Sequence, residues 1–225
     1  MLARTIVHTL AFAAVLALLL FLPAGTLQWP QGWIFIVLFV GCSEVTALWL
    51  FKTDPDLLAA RMKSPMSGEQ KSSDRAVMAA IFVVMIVWVV FMPLDAQRLG
   101  WSHTPTWAQA LGALLILIAF LGWATVLKAN SFASTQILVQ KERGQKVIST
   151  GPYAIVRHPM YAYVLPLMIG TALLLGSLWG LLGIVLVFPL LAARALGEEA
   201  MLFEGLPGYR EYAAKVRYRL FPGLW

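Results

Sequence analysis

The segment GQKVISTGPYAIVRHPMYAY, residues 144–163, concentrates polar side chains between two long apolar parts of the chain. Pro159 suits the first position of a helix, because the N–H that it lacks would have no partner there. His158 precedes this proline and is therefore biased toward an extended backbone. We expect a helix to begin at Pro159, with the free N–H groups of Met160 and Tyr161 pointing outward. Such a helix end attracts anions, so the segment predicts a ligand site.

The composition is that of a membrane protein. Hydrophobic residues make up 60% of the 225 positions and charged residues only 12%, whereas a soluble domain carries about 25% charged residues. The net charge of +6 comes from basic residues between the apolar runs, a pattern that indicates membrane topology rather than nucleic-acid binding. Cys42 is the single cysteine, which excludes an intramolecular disulfide and a cysteine zinc site. Scattered histidines give no metal site either, at His8, His103 and His158.

The apolar runs predict an all-α integral membrane protein with five to six spans. Four runs, each long enough to cross the bilayer, lie at about residues 5–22, 31–51, 76–94 and 105–127. A helical hairpin is expected over 161–196, with a tight turn at Gly176-Ser177. Its first arm is short for a full span, so five and six spans both remain open. Glu44 lies inside the second run, where a carboxylate is either functional or packed within the bundle.

We expect the chain to divide near residue 127. The first part contains transmembrane helices and a polar loop at 52–75, in which Asp56–Met62 suits a short amphipathic helix on the membrane surface. The second part is expected to be catalytic. It comprises a cofactor loop, the hairpin and a basic interfacial tail, at residues 128–160, 161–196 and 197–225.

The positions of lysine and arginine predict the orientation. Several lie in the 52–75 loop, the 128–157 loop and the tail, whereas the connections near Gly25 and Leu99 carry few. Because basic loops stay on the cytoplasmic side, we expect both termini and a cofactor pocket on the cytoplasmic face. A bacterial inner membrane is the expected location.

Arg194 and Glu198 are four residues apart and would share one face of a helix. An ordinary ion pair at a helix end would explain this spacing. The hairpin, however, returns this helix end to the membrane face where the helix after His158 begins. On that topology Arg157, His158, Tyr161, Arg194 and Glu198 converge on one polar pocket.

Tyrosines and arginines alternate in the tail, at Tyr209, Arg210, Tyr212, Arg217, Tyr218 and Arg219. Aromatic rings at the headgroup level and basic side chains near anionic lipid are typical of an interfacial anchor. A lid over the pocket is the alternative, and the two roles are compatible.

Three ordered motifs carry a specific resemblance. They are V-I-S-T-G-P-Y-x-x-x-R-H-P-M-Y with an upstream glutamine, R-x-x-x-E-E-x-x-L, and P-G-Y-x-x-Y-x-x-x-V-R-Y-R-L-F-P. Together, from Asn130 to Pro222, they resemble the isoprenylcysteine carboxyl methyltransferase family, whose wider group includes phospholipid N-methyltransferases. The chain is similar to a bacterial-type member.

The resemblance implies a methyltransferase that uses S-adenosylmethionine and acts on a lipophilic acceptor entering from the bilayer, with membrane lipids as neighbours and neither nucleic acid nor metal as a partner. It makes Arg194 the catalytic and substrate-binding residue. It places the cofactor against Gln140, Gln145, Lys146, Val147, Ile148, Tyr153, His158, Pro159, Met160, Tyr161 and Glu198.

Departures from the family pattern leave the acceptor open. Gln145 stands where eukaryotic members tend to have a histidine, and Leu206-Pro207-Gly208 replaces the usual F-G. A sterol-reductase-like enzyme is one alternative, in which Lys146 and Arg157 would bind the 2′-phosphate of NADPH. A non-catalytic membrane scaffold is the other.

Overall fold

The structure, a computed structural model, describes residues 2–64 and 72–225, with side chains described from Thr9 onward in the first helix. Within these ranges every regular element is helical, which confirms the predicted all-α fold. The α-helices are α1 (Leu2–Ala24), α2 (Pro30–Thr53), α3 (Pro55–Arg61), α4 (Ser72–Pro93), α5 (Thr106–Ala129), α6 (Pro159–Ala162), α7 (Val164–Leu175), α8 (Gly183–Gly205) and α9 (Tyr209–Lys215). A π-helix extends α4, and short 3₁₀ helices occupy Lys141–Arg143, Gly151–Ala154 and Trp179–Leu182.

Four of the described helical segments are long and apolar enough to cross a membrane, as expected of a membrane helix bundle. They are Pro30–Thr53, Ser72–Leu99, Thr106–Ala129 and Trp179–Gly205. Two shorter apolar helices, Thr9–Ala24 and Pro159–Leu175, correspond to the other predicted spans. Whether these two also cross the membrane stays a prediction.

One compact unit consists of residues 1–47, 83–120 and 165–187. In this unit α5 and α7 touch at two glycines. A Cβ atom on Gly112 would lie 2.6 Å from the carbonyl oxygen of Gly170, and the reverse distance is also 2.6 Å. Helices in membranes approach this closely only where residues are small. Elsewhere in the unit, the Thr9 hydroxyl donates to Glu44, which supports the packing role that the sequence left open for this carboxylate.

A buried carboxylate fixes the turn of the hairpin in the same unit. Asp95 accepts hydrogen bonds from the hydroxyls of Ser102, at 2.8 Å, and Ser177, at 2.5 Å. Ser177 Oγ in turn accepts from the backbone N–H of Gly180 at 2.9 Å. Gly176 has a φ of 86°, a left-handed conformation that glycine adopts without strain. The chain therefore turns at the predicted Gly176-Ser177 pair.

The other unit consists of residues 48–82, 121–164 and 188–225. Its helix α3 begins where Asp54 accepts a hydrogen bond from Leu57 N–H at 2.9 Å, with Pro55 at the first position. Leu57 is completely buried against Leu50 and Leu127. The predicted short helix is thus present, packed by its apolar face on the protein. Residues 65–71 of the predicted polar loop lie outside the described residues.

The helix after the hairpin turn is longer than predicted. We expected the tail to begin at Gly197, because the apolar run ends at Leu196. In the structure α8 continues to Gly205, since the intervening residues are mostly strong helix formers. The helix ends at a glycine that is followed by Pro207, the usual order at a helix C-terminus. Glu198 and Glu199 are therefore held on a regular helix rather than on a loop.

Candidate active site

The second unit encloses a cavity of about 360 Å³, a size typical of a small-molecule site. Its walls come from the helices α3 to α9 and from the long connection between α5 and α6. Eleven of the twelve predicted site residues, all of them in described segments, line it: Gln145, Lys146, Val147, Ile148, Tyr153, His158, Pro159, Met160, Tyr161, Arg194 and Glu198.

Gln140 is not among the described residues that line the cavity, and its predicted contact with the cofactor stays a prediction. Its side chain is 8% exposed and donates from Nε2 to the Phe132 carbonyl oxygen at 2.7 Å. Its backbone N–H donates to Gln145 Oε1 at 2.7 Å. Gln140 therefore folds the connection and orients Gln145, which does face the cavity.

The Tyr161 hydroxyl connects the two predicted residues of α8. It donates to Glu198 Oε2 at 2.9 Å and accepts from Arg194 Nε at 3.1 Å. Arg194 also donates from Nη2 to the Thr135 carbonyl oxygen at 2.7 Å. The spacing of four residues thus serves a three-residue hydrogen-bonded chain rather than an ordinary helix-end ion pair.

The adjacent carboxylates of α8 face different surroundings. Glu199 keeps only 3% of its side chain exposed and lies 3.0 Å from Arg157 Nε, 3.0 Å from Arg219 Nε and 3.2 Å from His158 Nε2. Glu198 keeps 32% of its side chain exposed and lines the cavity. Glu199 is therefore surrounded by positive or polar groups of the protein, whereas Glu198 remains accessible to a ligand.

His158 stands between these two carboxylates. Its Nδ1 lies 3.6 Å from Glu198 Oε2, its Nε2 lies 3.2 Å from Glu199 Oε1, and its ring stacks on Tyr161 with 5.6 Å between centroids. Burial lowers the pKa of His158, but hydrogen bonds to Glu198 and Glu199 outweigh it and raise the pKa to about 8. The imidazole is therefore largely protonated at neutral pH.

The C-terminal segment supports the same site through its backbone. Arg157 N–H donates to the Tyr218 carbonyl oxygen at 3.0 Å, and His158 N–H donates to that of Arg219 at 2.8 Å. Together with the contact between Arg219 and Glu199, these bonds fix the start of α6. The segment thus positions site residues, in addition to the predicted role of an anchor or lid, which stays a prediction.

The start of α6 differs from the expected anion site. The N–H groups of Tyr161 and Ala162 both donate to the His158 carbonyl oxygen, at 3.1 and 3.2 Å. This first turn is tight, and α6 is only four residues long. The prediction that the Tyr161 N–H is free for a ligand is therefore wrong.

A tyrosine closes another side of the cavity. The Tyr153 hydroxyl accepts from Asn130 Nδ2 at 2.8 Å, and the Tyr153 carbonyl oxygen accepts from the Tyr212 hydroxyl at 2.8 Å. Burial raises the pKa of Tyr153 to about 12, so the ring is neutral at physiological pH.

The sequence analysis did not assign Arg61 or Asn130 to the cavity wall, and it did not predict the contact of Glu199 with His158. Arg61 follows the buried Leu57 by one helical turn, so the two share one face of α3. This spacing indicates that Arg61 faces the protein rather than the solvent. Asn130 directly follows α5, and no motif in the sequence around it indicates a binding residue.

No group of histidine, cysteine, aspartate or glutamate in the described ranges could hold a metal ion.

Comparison with known proteins agrees with the geometry. Residues 107–205 match a family model described as phospholipid methyltransferase. The match starts in α5, contains the connection from α5 to α6 and ends with the last residue of α8. A search of curated proteins gives no match.

Proposed function

We propose that the chain transfers the methyl group of S-adenosylmethionine to a lipophilic acceptor, because residues 107–205 match the model of the phospholipid methyltransferase family, which includes the isoprenylcysteine carboxyl methyltransferases. The match supports a membrane methyltransferase in general terms. The donor and the chemical nature of the acceptor are the parts that we propose.

The accessible carboxylate of Glu198 is the observation that carries the proposal. The Tyr161 hydroxyl donates a hydrogen bond to it, and it faces a cavity whose lining includes tyrosines, cations, neutral polar groups and apolar side chains. A carboxylate accepts hydrogen bonds from an ammonium group and from ribose hydroxyls. The faces of Tyr153 and Tyr161 suit a nearby cation. These residues fit S-adenosylmethionine, which when bound supplies a methyl group on a positively charged sulfur.

Positioning is the main contribution that the protein would make. Methyl transfer requires an acceptor held in line and shielded from water, and orientation alone can supply much of the acceleration. Arg194 is 7% exposed, and Tyr161 and the Thr135 carbonyl fix its guanidinium. Its planar group can bind an acidic acceptor through two parallel hydrogen bonds, which lysine cannot do.

Part of the cavity wall is suited to the hydrocarbon of the acceptor. Apolar side chains from four helices face it, at Met78, Ile81, Trp123, Val164 and Leu191. Trp123 is fixed by a hydrogen bond from Nε1 to the Met160 carbonyl oxygen at 2.9 Å. A polar site beside an apolar wall favours an amphiphilic acceptor whose reactive group is polar.

The NADPH-dependent alternative has less support. It requires Lys146 and Arg157 for a 2′-phosphate, but Arg157 Nε lies 3.0 Å from Glu199, so its charge is already compensated. Only Lys146 of that pair has no such partner among the described residues.

Calorimetric titration of the detergent-purified protein tests the proposal. We expect micromolar binding of S-adenosylhomocysteine, no binding of NADPH, and loss of binding in His158→Ala and Glu198→Ala. Glu204→Ala is the control, because Glu204 is an exposed carboxylate of the same helix. Binding of NADPH alone would favour the reductase, and binding of neither by folded protein would favour the non-catalytic scaffold.

A further inference from the structure

One charged side chain of the cavity wall, Arg61, comes from helix α3, which lies outside the region that matches the family model. Asp54 and Pro55 fix where α3 begins, and buried Leu57 fixes which face turns inward. After the helix, the carbonyl oxygens of Lys63 and Ser64 accept hydrogen bonds from Thr135 Oγ1, at 3.0 Å, and Gln136 Nε2, at 2.9 Å. Helix α3 is therefore held against the connection that forms the cavity wall.

Arg61 ends this helix and faces the cavity. Its Nη1 donates to the Ala133 carbonyl oxygen at 3.0 Å and lies 3.9 Å from Met160 Sδ. No carboxylate forms an ion pair with it within residues 9–64 and 72–225. Burial lowers the pKa of the guanidinium, yet arginine stays charged in proteins. A desolvated cation without a counter-ion is costly, and a guanidinium has five N–H donors.

The residues around Arg61 indicate which anion would bind its guanidinium. Met160, which it touches, and Tyr153 both belong to the predicted cofactor wall. Tyr153 lines the same cavity as Arg61 and Glu198. The start of α6 does not offer the Tyr161 N–H, since that group donates to the His158 carbonyl. A zwitterion beside Tyr153 would thus meet a carboxylate and a guanidinium.

We propose that Arg61 binds the carboxylate of the amino-acid end of the methyl donor, while Glu198 binds the ammonium group of the same end. This assignment rests on the proposed function. It gives the donor a binding residue from the N-terminal part of the chain, and it leaves Arg194 for the acceptor.

Two ligands separate the roles of these residues: S-adenosylhomocysteine and its decarboxylated analogue, which keeps the ammonium group but lacks the carboxylate. We expect Arg61→Met to weaken binding of S-adenosylhomocysteine about tenfold to a hundredfold, as for a lost hydrogen bond to a charged group. Its affinity for the analogue should equal that of the unmodified protein. Glu198→Gln should weaken binding of both ligands. Arg61→Lys, which keeps the charge, should bind S-adenosylhomocysteine more tightly than Arg61→Met does.

Arg210→Met is the matched control, because Arg210 is an exposed arginine of the same unit that lies over the Phe203 ring. It should bind both ligands normally. Equal affinity of Arg61→Met and the unmodified protein for S-adenosylhomocysteine would overturn the assignment, as would an equal loss for both ligands. Should Arg61→Met not fold, Arg61→Lys decides alone: a selective loss for S-adenosylhomocysteine supports the assignment, and unchanged or equally reduced binding overturns it. Failure of the unmodified protein to bind either ligand would contradict the proposed function instead.

Discussion

Two neighbouring glutamates of α8 show how strongly the surroundings of a single side chain decide its role. Glu199 is enclosed by Arg157, His158 and Arg219, whereas Glu198 faces the cavity beside Tyr161. Removing the charge of a buried ion pair leaves its partners uncompensated, which typically costs about 3 kcal/mol or more. Loss of an accessible carboxylate costs much less stability. Stability and ligand binding should therefore be separable at adjacent positions.

We predict that Glu199→Gln lowers the free energy of unfolding by about 3 kcal/mol, measured by denaturation in detergent. The matched variant Glu198→Gln should lose less stability than Glu199→Gln, because the Glu198 side chain keeps 32% of its surface exposed, and yet it should lose binding of S-adenosylhomocysteine. Equal loss of stability in the two variants would show that Glu198 is also an internal structural residue.

The raised pKa of His158 predicts a dependence of stability on pH. The folded value of about 8 exceeds the unfolded value of 6.5, so the contribution is fully present below pH 6.5 and is lost as pH rises through 8. A difference of this size is worth about 2 kcal/mol. Unfolding at pH 6 and pH 9 should show this loss in the unmodified protein and in the control His103→Gln, which changes an exposed histidine. It should be absent in His158→Gln; an identical pH effect in all three proteins would rule out His158 as its source.

Residues of the site were predictable where the pattern is local. Tyr161 and His158 lie within one short motif, and Arg194 and Glu198 are related by the helical period. Arg61 was not predicted, because its contact with Ala133 joins positions 72 residues apart. The tight first turn that uses the Tyr161 N–H depends on backbone geometry that the Pro159 rule does not specify.

At the scale of elements, the contact between α5 and α7 depends on two glycines. A Cβ at Gly112 would meet backbone atoms, the Gly170 oxygen and the Leu174 nitrogen, both at 2.6 Å. Backbone cannot move aside as a flexible side chain can, so the helices would have to separate. Overpacking of this kind costs about 1–3 kcal/mol.

We therefore predict that Gly112→Ala destabilises the protein by about 1–3 kcal/mol. Gly41→Ala is the control, because no atom lies within 4 Å of a Cβ at that position of α2. Alanine is the better helix former, so Gly41→Ala should be neutral or slightly stabilising. Thermal unfolding of both variants gives the comparison. Similar melting temperatures for the two would mean that the glycine contact does not limit helix packing.

Helix existence was easier to predict than helix ends. Apolar runs indicate membrane spans because a segment that crosses the hydrocarbon core must be apolar. The end of an apolar run marks where side chains become polar, whereas a helix ends where its backbone hydrogen bonding ends. Helix α8 therefore passes Leu196 and continues to Gly205. Because Glu198 and Glu199 are consecutive residues of this helix, their side chains point in different directions.

For the whole molecule, the distribution of basic residues predicts the sidedness. A reporter fused after Trp225 should read cytoplasmic, and one inserted at His103 should read from the opposite side, since that connection carries little positive charge. Reporter activity in cells measures both positions. A non-cytoplasmic signal at Trp225 would contradict the predicted cytoplasmic C-terminus.

The membrane class of the molecule followed from composition, but its internal organisation did not. The sequence suggested a division near residue 127, which stays a prediction. Each compact unit draws on three separate segments of the chain, and long helices such as α2 and α5 contribute one end to each unit. Hydropathy and motif patterns along the sequence do not predict this division, because it depends on which helices become neighbours in the fold.

The region recognised as a family domain ends at Gly205. Tyr212, which holds Tyr153, and Arg219, which contacts Glu199, come later, and Arg61 comes well before the match begins. A chimera that carries only the matched region on a foreign scaffold would lack part of the cavity wall. For enzyme engineering, the segment to be exchanged is thus longer than the segment that matches the family model. Its limits are set by the residues that contact the site rather than by sequence similarity.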